Sequence, residues 1–228
     1  MTGERITLTT AGDKAVAAYH APAGEARRGG LVMLHAIWGV TPHIRALSDE
    51  LAEQGYEVIA PSLLDPVDAP FPELDLDPPR LDARLALGGA SGWGLATLPR
   101  VQAAIDALAG SGPVFAMGFC FGGTVAWLAA GRCAGLAAAS CFYGGDIIRH
   151  VAETPKVPTV LHFGKTDPLI PLADVAAIEA AHPDLPVWRY DAGHAFVAPS
   201  AHHPDSARLA MLRTLQLFQR SGGAKGEA

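Results

Sequence analysis

The chain has 228 residues, half of them hydrophobic, with a mean hydropathy of +0.21, which suits one α/β domain burying roughly 70% of its unfolded-state surface. Its 17 Lys and Arg against 23 Asp and Glu give a net charge of −6, and the absence of any basic stripe argues against nucleic-acid binding as a main role. Three cysteines without CxxC or zinc spacing are no disulfide framework, the opening MTGERITLTTAGDK lacks an apolar leader core, and no run approaches the ~18 apolar residues of a membrane helix, so a reducing cytoplasm is expected.

Residues 4–10 read as a strand, Ala11-Gly12-Asp13 as a turn and 15–20 as the hairpin partner. After a polar loop over 22–30, the apolar run 31–35 is a strand buried on both faces, ended by Gly39 and Pro42. Ile44, Leu47 and Leu51 set a helix over 43–54, with Gly55 as its stop. The strand 56–60 runs into Pro61, and the Pro- and Asp-rich stretch 61–80 is a surface excursion. A short helix over 81–88 is broken by the glycines of 88–92, and a longer one covers 97–109. A strand at 114–117 leads to a turn and to a helix over 122–131. Strands at 136–143, 159–163 and 187–190 alternate with helices at 173–181 and 204–220. This alternation predicts a mostly parallel sheet with helices on both faces, in one domain over 1–220 with a disordered tail at 221–228.

Residues 117–123 read Met-Gly-Phe-Cys-Phe-Gly-Gly. Gly118-x-Cys120-x-Gly122 is a nucleophile-elbow spacing set between a strand and a helix, with sulfur in place of the usual serine oxygen. The helix N-terminus facing the sulfur favours a thiolate. A small buried cysteine between glycines would leave the same local pattern. A nucleophile also needs a base, and the base an orienting acid. Asp167, after the strand 159–163, and His194, after the strand 187–190, follow in the order nucleophile, acid, histidine. All three fall at the C-terminal edge of the sheet, where open α/β sheets bind ligands. Alone, Asp167 could cap a turn before Pro168, and His194 could be an ordinary loop histidine. The oxyanion donors expected for this arrangement are the N–H groups of Phe121 and Ile37.

The segments LHAIWGVTPHIRALSDELAEQGYEVIAPSLLD, GFCFGG, GKTDPLIP and AGHAF resemble the dienelactone hydrolase family of α/β hydrolases over nearly the whole chain. The resemblance implies an α/β-hydrolase fold and hydrolysis of esters or lactones through an acyl-cysteine intermediate, with His194 moving the proton and Asp167 holding its tautomer. No cofactor or metal is required. The chain departs from members acting on dienelactone in two places. Ala36 stands where they carry a glutamate linked to thiol activation, and Ala195-Phe196-Val197-Ala198 after His194 contains no carboxylate-binding arginine. Arg80 and Arg84 fall in the segment of the family's other carboxylate-binding arginine. An uncharged or differently charged ester is therefore at least as good a candidate as dienelactone.

Trp38, Phe121, Trp93 and Phe196 are candidates for an apolar acyl pocket; Trp93 and Trp127 also suit the core. His35 could assist the thiol, though a structural strand-end histidine fits the position better. His202 and His203 read as solvated loop residues, Cys133 and Cys141 as small buried ones. Expected partners are a small ester or lactone, no nucleic acid and no membrane, with the chain a monomer or weak homodimer. The rivals are a non-catalytic small-molecule-binding protein on the same fold, and a related reaction on an epoxide, peptide or halide.

Overall fold

The computed structural model describes residues 2–24 and 26–223. The strands β1 (Glu4–Thr9), β2 (Ala15–Ala21), β3 (Gly29–Leu34), β4 (Tyr56–Pro61), β5 (Val114–Phe119), β6 (Leu136–Phe142), β7 (Thr159–Gly164) and β8 (Val187–Tyr190) form one eight-stranded sheet. Its order is β1-β2-β4-β3-β5-β6-β7-β8. β2 runs antiparallel to both neighbours, and from β4 to β8 every pairing is parallel. The helices are α1 (Pro42–Glu53), α2 (Leu81–Ala90), α3 (Leu98–Leu108), α4 (Phe121–Arg132), α5 (Leu172–Ala181) and α6 (Pro204–Phe218).

Parallel strands covered on both faces must be apolar on both, and every residue of β3 and β5 is buried. Gly29 and Gly30 are consecutive in β3, so they look to opposite faces. A side chain on Gly30 would meet Leu108 of α3, and one on Gly29 would meet Phe115, whose ring stacks 4.5 Å from Phe218 of α6. α3 and α6 thus cover opposite faces. α4 packs beside α3, and α1 shares a groove with α6.

Local chemistry explains the element ends. The Thr41 hydroxyl accepts from the Ile44 N–H at 3.5 Å, with Pro42 as the first residue of α1. Gly55, at φ 95°, closes that helix. Two expectations shift. β3 begins two residues early, because Gly29 and Gly30 already pair with Tyr56 and Glu57 of β4, at positions where the Pro113 backbone and the Phe115 and Leu108 side chains leave no room for a Cβ. The glycines at 88 and 89 do not break α2, which runs to Ala90. A Cβ on Gly88 would lie 3.0 Å from Ile37 Cδ1, so the bare backbone lets the helix close on the loop after β3. The tail expected over 221–228 falls largely on 224–228, outside the described residues; Ser221–Gly223 are placed, with Gly223 buried.

One buried polar network ties α6 to the sheet. Ser140 Oγ lies 2.8 Å from Thr214 Oγ1, which lies 3.1 Å from His162 Nε2. His162 Nδ1 lies 2.8 Å from the Tyr190 hydroxyl, which also accepts from Arg213 at 3.1 Å. Burial, with the nearby Arg213 charge, pushes the His162 pKa down to about 3, so the ring is neutral. Among the described residues, no helix is long and apolar enough to cross a membrane.

Candidate active site

Cys120 sits between β5 and α4 at φ 55°, ψ −116°, a conformation rare for a residue with a Cβ. Three glycines permit the turn. A Cβ on Gly118 would overlap the Gly122 carbonyl, one on Gly122 the Leu34 carbonyl, and one on Gly123 the Phe142 carbonyl. The turn is anchored by the Cys120 N–H, which donates to the Phe142 carbonyl at 3.0 Å. Cys120 is half-buried at the mouth of a cleft.

Asp167 and His194 come from neighbouring strands, β7 and β8. Their loops are stitched by Lys165 N–H to the Tyr190 carbonyl at 2.8 Å and Thr166 N–H to the Ala192 carbonyl at 3.1 Å. Asp167 Oδ1 accepts from the Leu169 N–H at 2.8 Å, while Oδ2 accepts from His194 Nδ1 at 2.7 Å. One carboxylate therefore caps the turn before Pro168 and orients the imidazole. Its side chain has no exposed surface. Burial opposes charge on His194, but the bond to Asp167 and the proximity of Cys120 outweigh it and raise the imidazole pKa to about 10. His194 Nε2 is buried, with Cys120 as its neighbour in the cleft.

Two clefts meet at Cys120 and His194. One is lined by Ala36, Trp38, Ile44, Phe119, Tyr143 and Ala198, among others. The wider one is bounded by Ile37, Trp38, Leu85, Trp93, Phe121 and Leu169, among others. Ile37 and Phe121, the expected oxyanion donors, lie with Cys120 on the second. Phe121 opens α4, so its N–H has no carbonyl one turn back within that helix. Trp38 borders both clefts, and Trp93 borders the wider one under the Arg149 guanidinium, 5.7 Å from its ring.

Other candidates fall elsewhere. Phe196 is fully buried, with its ring 5.3 Å from Tyr143 and 5.2 Å from Tyr190; it supports the floor and does not border a cleft. Arg84 is buried, its Nε donating to the Ile37 carbonyl at 2.7 Å and its Nη1 and Nη2 engaged by Asp65. With its guanidinium so occupied, it offers no free anchor for a substrate carboxylate. Arg80 is largely exposed, 4.0 Å from Asp77, on a third cleft that shares Trp38 with the other two and is not lined by Cys120 or His194. His35 is fully buried with both ring nitrogens bonded to backbone groups, Nδ1 to the Ala36 carbonyl at 2.6 Å and Nε2 to the Leu63 N–H at 2.9 Å. Helping the thiol is not open to it. Trp127 is core, donating to the His150 carbonyl at 3.0 Å. His203 caps α6 through Nδ1, 3.4 Å from the Ser206 N–H, while His202 is exposed. Burial raises the thiol pKa of Cys133 to about 11 and that of Cys141 further still. Among the described residues, no group of His, Cys, Asp and Glu side chains could hold a metal ion.

Two residues were not singled out in the sequence. Tyr143 follows β6 at φ 38°, and its ring lies 5.0 Å from that of His194. Its hydroxyl pKa is driven well above the usual value, first by burial and then by its closeness to Cys120. The signal available was its place at a strand's C-terminal end, followed by Gly144-Gly145. Asp65 carried no such signal.

The family model for the dienelactone hydrolase family matches residues 16–222. An Escherichia coli K12 protein named "Putative carboxymethylenebutenolidase" is 32% identical over 215 residues, covering 86% of this chain and 78% of that one. The carboxymethylenebutenolidase of Pseudomonas putida is 28% identical over 204 residues, covering 82% of this chain and 84% of that one. A crystal structure from Klebsiella pneumoniae, titled "Putative Dienelactone Hydrolase", superposes with a TM-score of 0.80 at 23% identity over 96% of this chain and 98% of that one. That likeness shows the α/β-hydrolase fold.

Proposed function

The chain belongs to the dienelactone hydrolase family and is a carboxylic ester hydrolase, and from that premise we propose that it cleaves a small ester or lactone through Cys120, His194 and Asp167. The observation that carries the reading is the 2.7 Å bond from His194 Nδ1 to a fully buried Asp167 carboxylate, in a cleft shared with Cys120.

In this reading the resting site pairs a His194 imidazolium with a Cys120 thiolate. The sulfur attacks the ester carbonyl carbon, forming a C–S bond and placing the carbonyl electron pair on oxygen. The N–H groups of Phe121 and Ile37 stabilise that oxyanion. Collapse breaks the C–O bond, and the His194 Nε2 proton passes to the departing alkoxide, which in a lactone stays tethered to the acyl group. Neutral His194 then takes a proton from water, and the resulting attack on the thioester releases the acid and restores the ion pair. Asp167 keeps the imidazole in one tautomer throughout.

The substrate that fits best carries no carboxylate. Arg84 is consumed by Asp65 and the Ile37 carbonyl, and Arg149 is paired with Asp146 at 2.6 Å. Apart from the Arg149–Asp146 pair and the reacting His194 and Cys120, the charged side chain lining the wider cleft is Asp174, which is negative. Leu81, Leu85, Trp93 and Leu169 offer apolar surface there, which suits an uncharged acyl or alcohol portion.

The test is a stopped-flow assay with short-chain p-nitrophenyl esters, with intact mass read in parallel. A burst of nitrophenolate and an acyl adduct on the native chain, both absent in Cys120→Ala, is the expected result. Equal slow hydrolysis by both proteins, with no adduct, would overturn the reading in favour of a binding protein on this fold.

A further inference from the structure

His35 has two hydrogen bonds that fix its tautomer. The Ala36 carbonyl can only accept, so Nδ1 carries the proton and donates at 2.6 Å. The Leu63 N–H can only donate, so Nε2 accepts at 2.9 Å. The ring is neutral, and complete burial holds its pKa down at about 4.

The Ala36 carbonyl belongs to the same peptide plane as the Ile37 N–H. In a trans peptide the two point in opposite directions. His35 borders neither cleft, whereas Ala36 borders one and Ile37 the other, each together with Cys120. The N–H of this plane is therefore directed away from the imidazole, on the side of the thiol. The next peptide plane is held as well, since Arg84 Nε donates to the Ile37 carbonyl at 2.7 Å. The Gly39 N–H adds a third restraint, donating to the Ala36 carbonyl at 3.2 Å.

We propose that His35 is a positioning residue for ester hydrolysis, holding the Ala36–Ile37 peptide so that its N–H is aimed at the oxyanion. This rests on the reading that Cys120 forms an acyl intermediate. Leu63 N–H, the imidazole, the Ala36–Ile37 peptide and the substrate oxygen form one chain of hydrogen bonds whose dipoles point the same way. Chains of this kind polarise each other, so negative charge on the substrate oxygen strengthens every member. His35 thus acts on the developing charge through a peptide, without touching substrate.

The experiment compares His35→Phe, which keeps a buried ring without a donor, with His35→Asn, whose amide can stand in for Nδ1–H. Two rates are read on each folded protein: the acylation burst with a p-nitrophenyl ester, and alkylation of Cys120 by iodoacetamide. Alkylation proceeds by displacement at a saturated carbon and builds no oxyanion. The expected result is about a 10- to 100-fold loss of acylation rate in His35→Phe, with alkylation within about twofold of native and substantial recovery in His35→Asn. Parallel loss of both rates, or a burst unchanged in His35→Phe, would overturn the proposal. A further measurement needs no variant. When a trifluoromethyl ketone forms its tetrahedral adduct on the native protein, the His35 Nδ1–H proton resonance should move downfield; an unmoved resonance also counts against the proposal. Failure of the parent reading is distinct, because then the native protein itself would show neither burst nor adduct.

Discussion

His194 Nδ1 and Asp167 Oδ2 lie 2.7 Å apart, and the same carboxylate holds the Leu169 N–H through its other oxygen at 2.8 Å. The acid that orients the imidazole is itself locked by backbone. Asp167→Asn keeps the shape but replaces the anion that draws the imidazole proton. The His194 pKa should fall from about 10, and kcat/KM should drop on the order of 10²- to 10⁴-fold. Titration of the His194 ring by NMR, together with the pH–rate profile, checks both.

The same pair links folding to pH. A folded-state pKa near 10, against 6.5 for the free side chain, means that the folded state holds the proton more tightly. The stabilisation from His194 is fully present below about pH 6.5, declines above it and is gone once pH has risen through about 10. Urea denaturation of the native chain should show this alkaline loss, and Asp167→Asn should show much less of it.

Cys120 occupies φ 55°, a position that glycine adopts without the Cβ penalty. Cys120→Gly should be more stable than Cys120→Ala by about 1–2 kcal/mol while forming no acyl adduct. Equal denaturation midpoints for the two variants would count against strain at this position.

Gly122→Ala places a methyl group on the Leu34 carbonyl. Neither backbone can retreat, because β3 is buried between β4 and β5. Destabilisation above ~3 kcal/mol is expected, read as a loss of soluble folded protein or a collapse in Tm.

Arg84 is 4% exposed and its partner Asp65 19%. Burial opposes the Asp65 charge, yet the Arg84 guanidinium keeps its carboxyl below the usual range, so this contribution to stability is present above the unfolded pKa and lost as pH falls through the folded one. Asp65→Asn leaves the guanidinium without its counter-charge and should cost about 3–5 kcal/mol in urea denaturation. Because Arg84 also holds the Ile37 carbonyl, acylation should slow in whatever fraction remains folded.

The order of elements was legible because strands 31–35, 56–60 and 114–117 are short apolar runs between turn residues, and α1 carries its stripe at Ile44, Leu47 and Leu51. Gly29-Gly30 and Gly88 misled, since glycine marks a break in local rules but here marks a close approach visible only in three dimensions. Cys120, Asp167 and His194 could be chosen because Cys120 follows β5 directly and the other two lie within four residues of the ends of β7 and β8, so the sheet itself converts sequence position into place. Arg84 and Asp65 could not be paired, because 19 residues without periodicity separate them. Phe196 suggested a pocket by its nearness to His194, but it points into the aromatic packing of Phe142, Tyr143 and Tyr190.

The network beneath the sheet joins distant parts of the chain. Thr214 of α6 meets His162, which meets Tyr190, the last residue of β8 and the start of the loop bearing His194. Peeling α6 away would strip hydrogen-bond partners from Ser140 and His162 at once, and would remove the Arg213 donor from Tyr190. Fraying of the last helix is thus not a local event confined to one end: it loosens the ground under the imidazole, and hydrogen exchange at α6 and at residues 191–194 should rise together.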